Sequence, residues 1–131
     1  MDIRYSASPE DFKRYTTDEL RKEFLIQNLY EEDKVKAVYS RVDRLVTFGI
    51  MPVNKDLSID DGIDVWSTFG THYILERREI GIFNLGGDGS ITVDGTKYEL
   101  GFENCLYITK SRDRLHNINV KCIPLFKVDT N

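Results

Sequence analysis

The sequence is poor in the residues that most often build reaction centres. It has two cysteines, two histidines, one tryptophan and three prolines in 131 residues. With only Cys105 and Cys122, a disulfide framework and a cysteine metal knuckle are both excluded, and each thiol is expected as a small buried hydrophobe in a reducing cytoplasm. His72 and His116 are the only imidazoles. No Ser/His/Asp or Cys/His arrangement has the local context that nucleophilic catalysis needs. The glycine signatures of phosphate loops are missing as well. No apolar run approaches membrane-spanning length, and the opening MDIRYSASPEDFKRY has no apolar leader core, so neither a membrane partner nor export is expected. Basic excess is lacking too. The 18 Lys/Arg stand against 22 Asp/Glu, a net charge of −4 that repels phosphate backbones and argues against nucleic acid.

What is present suits one ordinary globular unit, 40% apolar and 31% charged. Thr16 stands three residues before Glu19, the spacing of a capping box, and Leu20, Phe24 and Leu25 share a helical face. The pattern predicts a short helix over 17–24, with a turn at 9–12. Afterwards alternation takes over. Strands are expected over 35–42, 45–50, 71–76, 80–85, 90–93, 97–100 and 106–109, with a charged link over 77–79. Short strands at this spacing, punctuated by turn residues, predict a mainly β antiparallel barrel or sandwich.

The stretch NLGGDGSITVDGTKYELG (84–101) is the densest glycine region. A phosphate cradle would need amides gathered at a helix N-terminus. Here the glycines lead into Ser90-Ile91-Thr92-Val93, which alternates like a strand. Asp94-Gly95 then gives a strong hairpin signal, because a type I′ turn needs positive φ at both central residues. The glycines are therefore expected to turn the chain between the strands of a closed barrel.

Glu79, Leu85, Gly87, Gly89 and Gly95 resemble the first motif of the cupin barrels, with His72 in the first histidine position and Ile74 in the second. A more specific resemblance lies in YSRVDRLVTFGIMPV (39–53) and YILERREIGIFNLGGDGSITVDGTKYELG (73–101). These stretches resemble the N-terminal half of the 5-keto-4-deoxyuronate isomerases, also called 4-deoxy-L-threo-5-hexosulose-uronate ketol-isomerases. LRKEFLIQNLY (20–30) is similar to that family's opening helix and first strand. The resemblance runs over about residues 2–110. It implies a cupin-like β domain: a helical arm over 1–30, a barrel over 31–110 and an atypical tail over 111–131. It also implies ketol isomerisation of a uronate from pectin or polyuronide breakdown, and zinc-dependent homohexamers in the full-length family.

In that family three histidines and a glutamate of the C-terminal half hold the zinc. The resemblance stops short of that half, which a truncated or frame-shifted coding sequence would explain, so no familial ligand carries over and no zinc is expected here. Improvised candidates are His72, Glu79 and His116. In a regular strand His72 and Glu79 point to opposite faces, so a turn or bulge would have to bring them together. Arg77 and Arg78 are the candidate contacts for a sugar-acid carboxylate, which a planar guanidinium fork suits. The plainer reading is a charged edge in which Glu76, Arg77, Arg78 and Glu79 neutralise one another. Tyr73, Phe83 and Tyr98 are expected in core or subunit packing, and Trp66 over the barrel end or at a subunit contact. The alternative to an isomerase is a non-catalytic β domain that self-associates or binds a small sugar acid.

Overall fold

A computed structural model describes residues 1–42, 44–110 and 118–122. Strand β1 (Asp2–Arg4) opens the chain, followed by helices α1 (Pro9–Phe12) and α2 (Thr17–Phe24). The capping box forms as the spacing predicts. The Glu19 amide donates to Thr16 Oγ1 at 3.3 Å, and the Thr16 amide donates to Glu19 Oε2 at 3.3 Å. Neither helix buries a residue. The arm is fastened by other means: β1 pairs in parallel with the next strand, and Arg4 Nη1 donates to the Leu25 carbonyl at the end of α2, at 2.6 Å. Residues 25–30 run irregularly rather than as a strand, and the Leu29 carbonyl settles onto Gly49. A Cβ at residue 49 would lie 2.1 Å from that oxygen.

Strands β2 (Val35–Ser40) and β3 (Leu45–Ile50) pair antiparallel, so the first sheet has the order β1-β2-β3. The first alternating run was expected to reach Val42. It stops at Ser40, opposite Leu45, and Arg44 takes a positive φ of 57° in the turn.

The largest sheet holds β4 (Leu57–Ser58), β6 (Gly89–Val93), β7 (Thr96–Leu100) and β9 (Ile118–Cys122), in the order β4-β9-β6-β7. Asp94 and Gly95, with φ of 46° and 83°, close the β6–β7 hairpin between Val93 and Thr96. The glycine stretch is thus a strand and its turns. The third sheet pairs β5 (Ile80–Phe83) with β8 (Cys105–Ile108). Strand β5 ends at Phe83 rather than at Leu85, which is 64% exposed.

The expected mainly β antiparallel fold forms, in its sandwich alternative. Among the described residues the strands form separate sheets packed as a cupin-like sandwich, and the glycine stretch does not turn between strands of a closed barrel. The predicted strand over 71–76 is instead a bend followed by the 3-10 turn Ile74–Glu76. Ile74 and Leu75 are neighbours in the chain and both buried. A strand would send one of them to the opposite face; a tight turn buries both.

All three sheets meet over one core. Leu75 is fully buried, and around it lie Ile59, Ile63, Val65, Ile91 and Ile118. On the third sheet the rows Ile80/Ile108 and Ile82/Leu106 pack against this core. The alternate rows, Gly81/Tyr107 and Phe83/Cys105, are exposed. Phe83, at 69% exposure, and Tyr98, at 42%, are therefore not core side chains, and Cys105 is an exposed free thiol rather than a buried one. Tyr73 does pack against the core.

Candidate functional site

Of the sequence-predicted site residues, His72, Arg77, Arg78 and Glu79 lie in the stretch between α3 (Val65–Phe69) and β5. Asp64 caps α3 by accepting from the Ser67 amide at 3.2 Å, and that hydrogen bond is the main reason its carboxyl lies below the usual range. Gly70 ends the helix in the left-handed region, with φ of 65°. The chain then reverses over Thr71, which is buried, and returns His72 beside the helix it has just left.

His72 stacks on Trp66, with ring centroids 5.2 Å apart and an interplanar angle of 27°. Its backbone N–H donates to Glu76 Oε2 at 2.8 Å, so Glu76 folds back over its own turn. Arg77 is exposed. Arg78 is half-buried: its guanidinium lies 3.9 Å from the Phe69 ring centroid and 5.6 Å from that of Tyr39, and Nη1 donates to the Arg44 carbonyl at 3.2 Å. Phe69 and Tyr39 meet edge to face. Arg78 is thereby a cation set in an aromatic seat, joining α3 to the first sheet. Among the described residues no ion pair links Glu76, Arg77, Arg78 and Glu79 to one another, so the mutually neutralised edge does not form.

Glu79 accepts a hydrogen bond from the Tyr107 hydroxyl. That bond is the first cause, ahead of desolvation and the carboxylate's own charge, that raises the Tyr107 phenol above its ordinary value. His72 and Glu79 thus have different partners, Trp66 and Glu76 for one and Tyr107 for the other. His116 lies outside the described residues. Among the described residues no three His, Cys, Asp or Glu side chains gather as metal ligands. The donor set among the described residues does not fit a zinc cage, which calls for three or four nitrogen, sulfur or oxygen donors around one point.

Three contacts escaped the sequence reading: Tyr107 on Glu79, Phe69 and Tyr39 under Arg78, and Trp66 on His72. The first two join residues far apart in the chain. The third had a local signal, the helix-ending Gly70 that reverses the chain.

A groove of about 710 Å³ lies elsewhere, between β1 and α2, lined by Arg4, Arg21 and Lys22 together with Asp2, Asp18 and Glu23. Its charges are of both signs, and none of the predicted site residues lines it.

A second polar cluster is centred on Asp33. This residue has a positive φ of 56°, and its Oδ1 accepts from the amides of Val53 and Asn54 at 2.8 Å each and of Lys55 at 3.4 Å. Oδ2 accepts from Asn54 Nδ2 at 2.8 Å. These donors, first the Val53 and Asn54 amides, hold the carboxyl down to about 2. The cluster ties the turn before β2 to the loop after β3.

No protein-family model matches the chain. Curated relatives do. A protein of Lachnoclostridium phytofermentans is 47% identical over 108 residues, 82% of this chain and 38% of that protein. One of Lachnospira eligens is 48% identical over 108 residues, 82% of this chain and 37% of its own length. One of Pectobacterium carotovorum is 45% identical over 115 residues, 88% of this chain and 41% of its own. Each is named 4-deoxy-L-threo-5-hexosulose-uronate ketol-isomerase. The chain therefore spans about two-fifths of the length of the curated relatives it matches, and it corresponds to their N-terminal half.

Proposed function

Since this chain belongs to the 4-deoxy-L-threo-5-hexosulose-uronate ketol-isomerase family as a partial member, we propose that it serves as the N-terminal scaffold of a uronate ketol-isomerase and does not turn over substrate by itself. Ketol isomerisation removes a proton from the carbon beside a carbonyl and must stabilise the enediolate that follows. A metal ion supplies that stabilisation as a Lewis acid, while a carboxylate, imidazole or water carries the proton.

The observation that carries the reading is the fate of the chain's few candidate groups. The whole sequence has two histidines, and the described one is stacked on Trp66. Glu79 is engaged by Tyr107, and Arg78 is engaged by Phe69, Tyr39 and the Arg44 carbonyl. These residues hold the fold together and, among the described residues, leave no convergent set for proton transfer. Of the two arginines proposed to meet a sugar-acid carboxylate, exposed Arg77 is the one that can do so without giving up these contacts.

A self-associating β domain is the second reading. The outward Phe83, Leu85, Phe102 and Tyr107, each more than half exposed, support it, since apolar patches of this kind are covered in assemblies. No helix among the described residues is long and apolar enough to cross a membrane. Exposed Cys105 suits a reducing compartment, which supports a cytoplasmic reading.

The deciding experiment measures zinc content and isomerase turnover of the purified chain, alone and mixed with the C-terminal part of the Pectobacterium carotovorum relative. The expected result is neither bound zinc nor turnover for the chain alone. Stoichiometric zinc together with turnover that a chelator abolishes would overturn the reading.

A further inference from the structure

Strand β9 lies beyond the stretch 2–110 that carries the family resemblance, yet it occupies the middle of the largest sheet. Val120 stands between Leu57 of β4 and Ile91 of β6, and Asn119 stands between Ser58 and Thr92. The register runs unbroken across the sheet. Leu57, Val120 and Ile91 form one row with Tyr98, and Ser58, Asn119 and Thr92 form the next with Lys97. Ile118, opposite Val93, is 5% exposed and belongs to the core. Ile118 and Val120, two apart on one face, therefore fit the core side of the slot between β4 and β6.

No hairpin joins this strand to a neighbour in its own sheet, since those neighbours are β4 and β6. β8, which precedes it, belongs to another sheet and ends at Ile108, ten positions before β9 begins. Its two neighbours lie far away in sequence. Register is set by ladder bonds and side-chain rows rather than by a hairpin, so a strand from elsewhere with the same pattern satisfies the same contacts.

We propose that the β4–β6 cleft is a strand-accepting slot, filled in cis by Ile118–Cys122 and able to take the same strand from a second copy of this chain. The occupant is an extended segment recognised by backbone hydrogen bonds on both edges and by apolar residues at alternate positions, as in strand addition. A strand tethered to its own chain acts at an effective concentration on the order of 1 mM, so exchange between copies emerges as protein concentration approaches that level. This inference does not depend on the isomerase reading, since it concerns assembly and not turnover.

The test uses the full chain carrying Ile118→Asp, which spoils the donor strand and leaves the slot intact. A synthetic peptide of residues 116–124 is titrated in, and the thermal transition is followed by circular dichroism. The expected result is loss of the cooperative transition in the variant and its return as the peptide nears millimolar concentration, with no return from a peptide carrying the same Ile118→Asp change. A variant as stable as the parent, or equal effects from both peptides, would overturn the proposal. A second measurement stands apart from the variant's own folding. Fluorescein-labelled 116–124 peptide is annealed with the unmodified chain by heating and slow cooling, and its anisotropy is read. Uptake that unlabelled peptide competes away is expected, and absence of uptake at millimolar chain would also overturn the slot.

Discussion

In α2, eight residues long, no side chain is buried, whereas in the 3-10 turn Ile74–Glu76 two of three are. The arm and the core thus hold together by different means. The arm relies on caps and carbonyl contacts: Ser8 on Asp11, Thr16 on Glu19, Arg4 on Leu25, and an edge-to-face pair of Phe12 and Phe24. The core relies on apolar area removed from water, which stabilises by about 25 cal/mol per Å². Caps contribute about 1 kcal/mol each. A short helix can therefore exist on polar contacts, but the stability of the whole chain rests on the three sheets and the turns between them.

The comparison is tested most severely at Leu75. Leu75→Ala empties the centre of the core and is expected to destabilise the chain by roughly 2–5 kcal/mol in urea denaturation; a cost under about 1 kcal/mol would mean the core is not where cohesion resides. Gly49→Ala probes the seam between the two regions. A Cβ there collides with the Leu29 backbone, so lifting the arm off β3 should cost roughly 1–3 kcal/mol and speed proteolysis before residue 30. Thr16→Ala removes one cap and should cost about 1 kcal/mol or less, lowering helical signal without moving the main transition. A large shift of that transition would show the arm to be part of the core's cooperative unit.

The smallest effect depends on pH. Asp33 has a carboxyl depressed from 3.8 to about 2 in the fold. Its contribution is fully present above the unfolded value and is lost as pH falls through the folded one. Thermal midpoints between about pH 5 and pH 2 should fall less steeply in Asp33→Asn than in the parent. Identical slopes would remove Asp33 from the acid response.

What was legible in the sequence was local. The capping box, the Leu45–Ile50 strand and the Asp94-Gly95 turn each depend on residues within a few positions of one another, and they formed as read. The bend at 71–76 defeated the alternation rule because Ile74 and Leu75 are both drawn inward. Phe83 and Tyr98 alternate correctly, but alternation alone does not say which face is covered. Strand β9 was hidden by distance: it looked atypical as a tail, and its partners Leu57 and Ile91 sit in remote parts of the chain. For the candidate site, the sequence offers residues as chemical types but not the partners they meet in the fold. Tyr107 meets Glu79 only because β8 folds against β5.

The Asp33 cluster has a consequence of its own. Three consecutive amides and a side-chain amide surround a carboxylate that the chain supplies to itself, which makes the loop a small preformed anion receptor with an internal guest. Because residue 33 already sits at positive φ, Asp33→Gly would remove the guest without straining the host. Added formate should then restore the lost thermal stability in a saturable way, while a chain whose receptor collapses would give no such recovery.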